Sequence, residues 1–262
     1  MSAPPAGQGA ELRRHLDALC VEVHPDADTL AAAAAATAAE LLSTAVDGHG
    51  VANAMFATGN SQLRFVDALV AQPSVPWDRV VVFHMDEYLG VGSDHPAGFR
   101  HWIQERITDR VHPLEAHYLD GTAEPGDECR RYAELLRRHP LDLCCLGIGE
   151  NGHLAFNDPP ADLDDPEDLK VVELDAACRA QQVHEGHFGS IDGVPQLAMT
   201  VTVPTLLRAG RVLAVVPEER KAQAVQRALT GPVSSDCPAS ALRRAANATL
   251  YLDRESAALL DW

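Results

Sequence analysis

An apolar run that ends in glycines decides the fold of this chain: LDLCCLGIGENGH, residues 141–153. Its first half is nearly continuous in apolar character, which is typical of a strand buried on both faces of a parallel sheet. Gly147, Gly149 and Gly152 follow with the G-x-G-x-x-G spacing, and His153 comes directly after them. The segment therefore predicts a buried strand whose carboxyl end carries a tight, polar turn.

The pattern of an apolar strand followed by a polar turn recurs along the chain. Further strands are predicted at residues 51–57, 79–84, 170–174, 199–203, 211–216 and 249–252, with amphipathic helices at 28–46, 62–71, 96–108, 127–138 and 219–229. This alternation predicts an α/β fold: an open, mostly parallel, doubly wound sheet with helices on both faces, Rossmann-like in architecture. We expect a single domain over residues 26–262, after a flexible N-terminal segment of residues 1–25.

The composition excludes several classes of partner. Asp and Glu exceed Lys and Arg by 17, so we expect no nucleic-acid partner and no binding to anionic membranes. The longest apolar stretch, residues 30–42, is mostly alanine and contains Glu40, which predicts a segment too short and too polar to span a bilayer. No secretory signal precedes it, and the six cysteines form no C-x-x-C pair. These features predict a cytoplasmic protein with reduced thiols.

The glycine pattern at residues 147–152 matches the dinucleotide fingerprint, but its context does not. That fingerprint needs a helix to begin at once, so that the helix N-terminus meets the pyrophosphate. Pro159, Pro160 and Pro166 leave little room for such a helix. We therefore predict no nicotinamide or flavin cofactor, and interpret the loop as a tight turn that presents His153.

Two turns at predicted strand ends carry groups for acid–base chemistry. Asp86 and Glu87 follow one strand, and a carboxylate held close to a substrate carbon can remove a proton next to a carbonyl. Because neighbouring side chains need not face the same way, one of the two can reach the ligand while the other packs. His153 and Asp158, five residues apart, offer an imidazole and an orienting carboxylate.

Metal binding is the rival interpretation of the histidines. His153, His184 and His187 together with acidic residues could supply ligands, but their spacing matches no strong metal motif, so no metal is predicted. A serine-hydrolase site is disfavoured as well, because the chain lacks the G-x-S-x-G elbow.

Two further turns have the features of an anion site. Thr58, Gly59, Asn60 and Ser61 lie between a predicted strand and a helix, where glycine allows close approach and helix N–H groups are unpaired. Lys221, one of only two lysines in the chain, lies in the first turn of a predicted helix, where a cation opposes the helix dipole and a bound phosphate would remove the conflict. The alternatives are an ordinary turn capped by Ser61 and a solvated lysine.

Four segments in this order, FATGNSQ, HMDEYLGVGSDHPAGFR, GIGENGHLAFNDP and VPQLAMTVTVPTLL, resemble the glucosamine-6-phosphate deaminase (isomerase) family over residues 56–221. The wider group includes the 6-phosphogluconolactonases, which share the glycine loop but typically lack the F-N-x-P and DEY segments. The resemblance implies conversion of glucosamine 6-phosphate and water to fructose 6-phosphate and ammonium, without metal or organic cofactor.

The resemblance also implies roles for individual residues. Asp86 would move the proton from C2 to C1, and His153, oriented by Asp158 and accompanied by Asn151, would assist ring opening. The substrate would be held by Thr58, Gly59, Asn60, Ser61, Lys221, Glu87, Gly152 and His184.

Three positions depart from the family pattern. Asn151 stands where many members have an acid, Asp158 replaces the usual Glu, and His184 occupies the place of a phosphate-binding Arg. A lactone hydrolase, which would not need Asp86, and a non-catalytic sugar-phosphate sensor therefore remain alternatives. Since relatives include monomers and larger assemblies, a homo-oligomer is left open.

Overall fold

The strands of the computed structural model, which describes residues 9–262, follow the alternation in the sequence. They are β1 (Leu12–Leu16), β2 (Leu19–His24), β3 (Ala52–Phe56), β4 (Val80–His84), β5 (Asp86–Tyr88), β6 (Glu115–His117), β7 (Leu143–Leu146), β8 (Leu169–Glu173), β9 (Leu197–Val201), β10 (Arg211–Val216) and β11 (Ala248–Asp253). Eight of them form one sheet in the order β1-β2-β11-β10-β7-β3-β4-β6. All neighbours in it are parallel except β1 and β2. A separate antiparallel sheet contains β5, β9 and β8.

Helices cover both faces of the main sheet. They are α1 (Ala27–His49), α2 (Leu63–Val70), α3 (Phe99–Ile103), α4 (Asp109–Val111), α5 (Pro125–Arg138), α6 (Ala176–His184), α7 (Val203–Leu207) and α8 (Ala222–Thr230). One core joins α1 and α2 to alternate residues of β3, β4, β7 and β10, and a second core joins α5 and α8 to the residues between them. The predicted fold class, an open and mostly parallel doubly wound sheet, is confirmed.

The helix α1 is long and apolar enough to cross a membrane by length and composition. Asp26 caps it by accepting the Thr29 N–H at 2.8 Å, and it ends at Gly50, whose φ of 89° is left-handed. Its alanines and leucines, Leu30 and Leu42 among them, are buried against the main sheet and α2. The small side chains let the helix approach the strands closely, and α1 is a core helix of this fold.

The prediction of a flexible segment at residues 1–25 is wrong for its second half. Leu12–Leu16 and Leu19–His24 form the antiparallel pair β1 and β2, and β2 extends the sheet beside β11. All six residues of β2 are buried, which explains why this segment is ordered. The sequence signal is short, because only a turn at Asp17 and Ala18 separates the two strands. Residues 1–8 lie outside the described part of the chain.

The order of strands places a crevice between β3 and β7. From β3 the chain continues to β4 on one side, whereas from β7 it continues to β10 on the other. Such a switch point opens a crevice at the carboxyl ends of the strands, where open α/β sheets bind ligands. The helices after β3 and β10 each begin with a 3₁₀ turn, Asn60–Gln62 and Glu219–Lys221, at the rim of this crevice.

Candidate active site

A cavity of about 600 Å³, counting its open mouth, lies at this crevice. The turns after β3, β4, β7 and β10 form one side of it, which we call the sheet-edge wall. The other side is formed by residues 176–188, which we call the α6 segment. Of the predicted site residues, the cavity is lined by Thr58, Gly59, Ser61, Asp86, His153 and Lys221. The α6 segment contributes Gln181, Gln182, Glu185 and His187.

Asp86 lies at the start of β5 with its carboxylate in the cavity. The residue is 5% exposed, and within residues 9–262 its side chain makes no hydrogen bond or ion pair. Burial, and then the neighbouring Glu87 carboxyl, raise the pKa of Asp86 well above its ordinary value. A carboxylate that is desolvated and unpaired is a strong base toward any C–H group placed against it.

Glu87 points away from the cavity, and its predicted role in substrate binding is not supported. Its carboxylate accepts the backbone N–H groups of Tyr88 at 3.0 Å, Phe99 at 3.1 Å and Arg100 at 2.7 Å. Burial raises the pKa of Glu87 to about 7, although these N–H groups act in the opposite direction. The side chain joins β5 to the first turn of α3, which explains why adjacent carboxylates have different surroundings.

His153 is held by a hydrogen-bonded network. Its Nδ1 lies 2.9 Å from Asp158 Oδ1, and Asn151 donates to the same oxygen at 2.8 Å while its own Oδ1 accepts the His153 N–H at 3.0 Å. Burial acts to raise the pKa of Asp158, but the hydrogen bonds from His153 and Asn151 outweigh it, and the pKa is lowered. An ionised Asp158 favours a proton on Nδ1 of His153, which leaves Nε2 to exchange protons in the cavity.

One glycine of the loop after β7 makes room for this histidine. A Cβ atom on Gly149 would lie 2.2 Å from His153 Nε2, so any side chain there would displace the imidazole. Gly152 has a φ of 92°, a left-handed conformation that favours glycine, and it does not line the cavity. No helix follows His153 directly, as the prolines predict. The motif is therefore a support for an imidazole and not a pyrophosphate site.

The turns after β3 and β10 form the cationic end of the cavity. Lys221 is 3% exposed, and within the described residues its ammonium group makes no hydrogen bond or ion pair. Burial, and then the nearby Arg220, lower the pKa of Lys221. Gly59 has a φ of 104°, which brings the backbone of the first turn close to the cavity. Asn60 does not line the cavity, because its amide donates to the Glu185 carbonyl at 3.3 Å.

His184 does not occupy the place of a phosphate-binding residue in this cavity. It lines a second cavity with Glu150, Asn151, Ala180 and Gln181. One turn of α6 separates it from Gln181, whereas Glu185 and His187, beyond the end of the helix, reach the main cavity. The polar run QQVHEGH at residues 181–187 was the available signal for this wall, but the sequence alone does not say which of its histidines faces the ligand.

The described residues contain one group of side chains with the composition of a metal site. His153, Asp158 and Cys178 place their ligand atoms within 4.8 Å of one another. Asp158 Oδ1 is already paired with His153 and Asn151, and burial raises the pKa of the Cys178 thiol, so this cysteine is held in its protonated form. These surroundings favour the hydrogen-bonded network over a coordinated ion. The rival set of His153, His184 and His187 is not brought together around one cavity.

Comparisons with known proteins show the family of this chain. The family model described as glucosamine-6-phosphate isomerases/6-phosphogluconolactonase matches residues 25–251. The glucosamine-6-phosphate deaminase of Exiguobacterium sibiricum is 36% identical over 205 residues, which cover 78% of this chain and 79% of that protein. That of Bacillus cereus is 33% identical over 204 residues, or 78% and 76% of the two chains. The chain therefore belongs to the glucosamine-6-phosphate isomerase/6-phosphogluconolactonase family.

Solved structures show the same fold. A structure described as a monomeric glucosamine-6-phosphate deaminase superimposes with a TM-score of 0.84 at 29% identity, covering 91% of this chain and 99% of that one. A 6-phosphogluconolactonase from Shewanella baltica gives a TM-score of 0.73 at 19% identity, over 89% and 96% of the two chains, which is a likeness of fold alone. Within the family, this chain stands with the deaminases.

Proposed function

We propose that this chain is an enzyme that converts glucosamine 6-phosphate and water to fructose 6-phosphate and ammonium. The observation that carries the proposal is the shared cavity of Asp86, His153 and Lys221. Its groups match the parts of such a substrate: an unpaired carboxylate for a C–H bond, an oriented imidazole for a ring oxygen and an unpaired ammonium for a phosphate. The deaminases among its relatives, at 31–36% identity, support the same assignment.

The reaction begins with ring opening. Nε2 of His153 takes the proton of the C1 hydroxyl and delivers it to the ring oxygen, so that the bond between C1 and the ring oxygen breaks and an aldehyde forms at C1. Asp158 keeps the imidazole in one orientation and stabilises its charged form. Because Asn151 contacts Asp158 and the His153 backbone, it positions this pair and exchanges no proton.

Asp86 then carries the proton that defines the isomerisation. The aldehyde acidifies the C2–H bond, and Asp86 takes this proton and returns it to C1. The C1 oxygen takes a proton from the C2 ammonium group, which leaves a hydroxyl at C1 and a C=N bond at C2. Water adds to that carbon, ammonia leaves with a further proton, and the ketose remains. Burial makes Asp86 a stronger base and leaves it protonated between the two transfers, which is what a single group moving one proton requires.

Lys221 and the turn at residues 58–61 would hold the phosphate. The ammonium has no protein partner among the described residues, and a dianion would satisfy it. The 3₁₀ turns at both rims add unpaired backbone N–H groups.

We infer that the enzyme works in the cytoplasm, where its six free cysteines stay reduced, five of them buried. A phosphorylated sugar as substrate agrees with that compartment. The residues that line the cavity come from a single chain, and a related deaminase is described as monomeric.

The proposal is tested by two assays on the same preparation. Ammonium and fructose 6-phosphate should appear in equal amounts from glucosamine 6-phosphate, and 6-phosphogluconolactone should be hydrolysed no faster than in buffer. Lactone hydrolysis without ammonium release would assign the other activity of the family. Tight binding of glucosamine 6-phosphate without any product would assign a sensor.

A further inference from the structure

His187 is the imidazole of the α6 segment that reaches the main cavity. It lines that cavity together with Lys221 and Thr58, although the backbone leaves α6 before it, at Glu185. Its own N–H donates to the Gln182 carbonyl at 3.0 Å, which fixes the turn that returns the chain toward the sheet edge. The adjacent Phe188 packs edge-on against Tyr88 with ring centroids 5.4 Å apart. His187 is thus held at the cavity from both sides.

Glu185 is the charged neighbour of this imidazole. Its carboxylate, 7% exposed, accepts from Arg220 at 2.5 Å and from Gln181 at 2.9 Å, and it lies 3.4 Å from His187 Nε2. Burial acts to raise the pKa of Glu185, but His187, Arg220 and Gln181 outweigh it and lower the pKa to about 2. The ionised carboxylate lies beside Nε2 of His187, and this buried nitrogen makes no hydrogen bond within the described residues, so the imidazole is open to a further partner.

The charges around the cavity leave a phosphate short of cations. Arg220 is occupied by Glu185, by Glu218 at 2.6 Å and by Glu150 at 3.3 Å, so its charge is already balanced. Within the described residues this leaves Lys221 as the unpaired cation that faces a phosphate dianion, and the Glu185 carboxylate would repel that dianion. A second cation at the cavity is needed, and an imidazolium is the group present to supply it.

We propose that His187, in its protonated form, is the second cationic contact to the substrate's phosphate, and that substrate affinity therefore weakens as pH rises. This inference rests on the proposed function, because it assumes a phosphorylated ligand. His187 would donate from Nδ1 to a phosphate oxygen while Nε2–H remains directed at Glu185. The α6 segment thereby provides a positive charge that depends on pH, where an arginine would provide a permanent one.

The charged and titratable groups in and beside the cavity of His187 come from four elements, of which the loop after β7 contributes His153. Glu185 lies on its own segment and favours the imidazolium, whereas Arg220 and Lys221, on the turn after β10, disfavour it. Asp86, across the cavity at β5, favours the imidazolium when it is ionised. The bound phosphate adds two negative charges and favours it further, so binding and proton uptake should be coupled.

Calorimetric titration of the full-length protein tests this coupling. Inorganic phosphate and fructose 6-phosphate, which has no turnover without ammonium, serve as separate probes, each at about pH 5.5 and about pH 8.5, on either side of an ordinary imidazole titration. The proteins are wild type, His187→Gln, His187→Arg and the matched control His184→Gln, which changes a histidine of the second cavity. The Arg variant keeps a permanent charge, so it corrects for titration of the phosphate itself.

At the lower pH, His187→Gln should raise Kd by about 10-fold or more, as expected for loss of a charge-assisted hydrogen bond, while His184→Gln leaves it unchanged. The ratio of wild-type to His187→Arg Kd should rise about 10-fold between the two pH values. A constant ratio, or an unchanged Kd in His187→Gln, would overturn the inference. If both probes behave as expected but no ammonium is released from glucosamine 6-phosphate, the inference holds and the proposed deamination fails.

Discussion

The two walls of the cavity differ in how their polar groups are satisfied. On the sheet-edge wall, Asp86 and Lys221 are buried and have no partner within residues 9–262. On the α6 segment, Glu185 is paired with Arg220 and Gln181 and contacts His187. Unpaired buried charges are costly and are kept where a ligand completes them, whereas paired groups shape and tune a site. We therefore propose that the sheet edge carries the reaction and the Lys221 contact to the phosphate, and that the α6 segment adds to substrate recognition.

Asp86→Asn should have the largest effect on activity, a loss of kcat on the order of 10⁴-fold, because the amide cannot take the C2 proton. The same variant should be more stable than wild type at neutral pH. Burial raises the pKa of Asp86, so the wild type loses stability as pH rises above the unfolded value of about 3.9. The gain in Tm should therefore disappear near about pH 4. Exchange of the C2 proton with solvent deuterium, read by NMR, checks the role directly, and retained exchange in the variant contradicts it.

His153→Gln should lower kcat by about 10²-fold, less than the first variant, because sugar rings also open without a catalyst. Asp158→Asn should lower it less again, since the imidazole stays in place but loses its ionised partner. The ring-opening step is isolated by comparing two rates: one with freshly dissolved substrate, before its ring forms have equilibrated, and one with equilibrated substrate. Equal losses in both variants would mean that the pair acts in the later proton transfer.

Lys221→Gln should raise KM by about 10- to 100-fold and change kcat little, because a charge-assisted hydrogen bond to the phosphate is lost. Glucosamine without a phosphate is the control substrate, since the variant and the wild type should handle it equally poorly. A fall in kcat with KM unchanged would place Lys221 at the reacting carbons instead.

Glu87→Gln should have the smallest effect on activity and act on stability. Its NH₂ group would face the Arg100 N–H, and an unsatisfied buried donor costs about 1–3 kcal/mol, or several degrees of Tm. Burial raises the pKa of Glu87 to about 7, so the wild type loses stability as pH rises above the unfolded value of about 4.3, whereas the variant has no carboxyl there to titrate. The deficit in Tm of the variant should therefore be larger at about pH 5 than at about pH 8. A loss of kcat as large as that of Asp86→Asn would erase the distinction between the two acids.

The sheet edge could be predicted from the sequence because its signals are local. Apolar strands followed by polar turns predict a parallel sheet, and parallel sheets bring such turns together, so Thr58, Asp86, His153 and Lys221 could be named in advance. The orientation of Glu87 could not, because it depends on N–H groups of α3, which begins twelve residues later. The orientation of the Glu87 side chain is set by hydrogen-bond donors that lie outside the turn itself.

The α6 segment could be predicted only in part. Its polar residues are visible, but helical phase decides which of them face the cavity, and the end of α6 at His184 changes that phase for the residues beyond. His184, the predicted histidine, therefore lines the second cavity, whereas His187 lines the main one. The pair β1 and β2 escaped prediction for a related reason, since β2 is ordered by β11, more than two hundred residues away in the sequence.

The aromatic contact of Phe188 has a consequence for how this protein can diversify. Asp175 caps one end of the α6 segment by accepting the Cys178 N–H, and at the other end Phe188 rests on Tyr88, which in turn contacts Phe99 and Phe156. Because the α6 segment is anchored at both ends, residues between the anchors can be substituted without displacing the sheet-edge wall. Homologues could thus acquire new substrate preferences through substitutions in this one short segment. A graft of the segment between relatives should transfer substrate selectivity, provided that the graft includes Phe188.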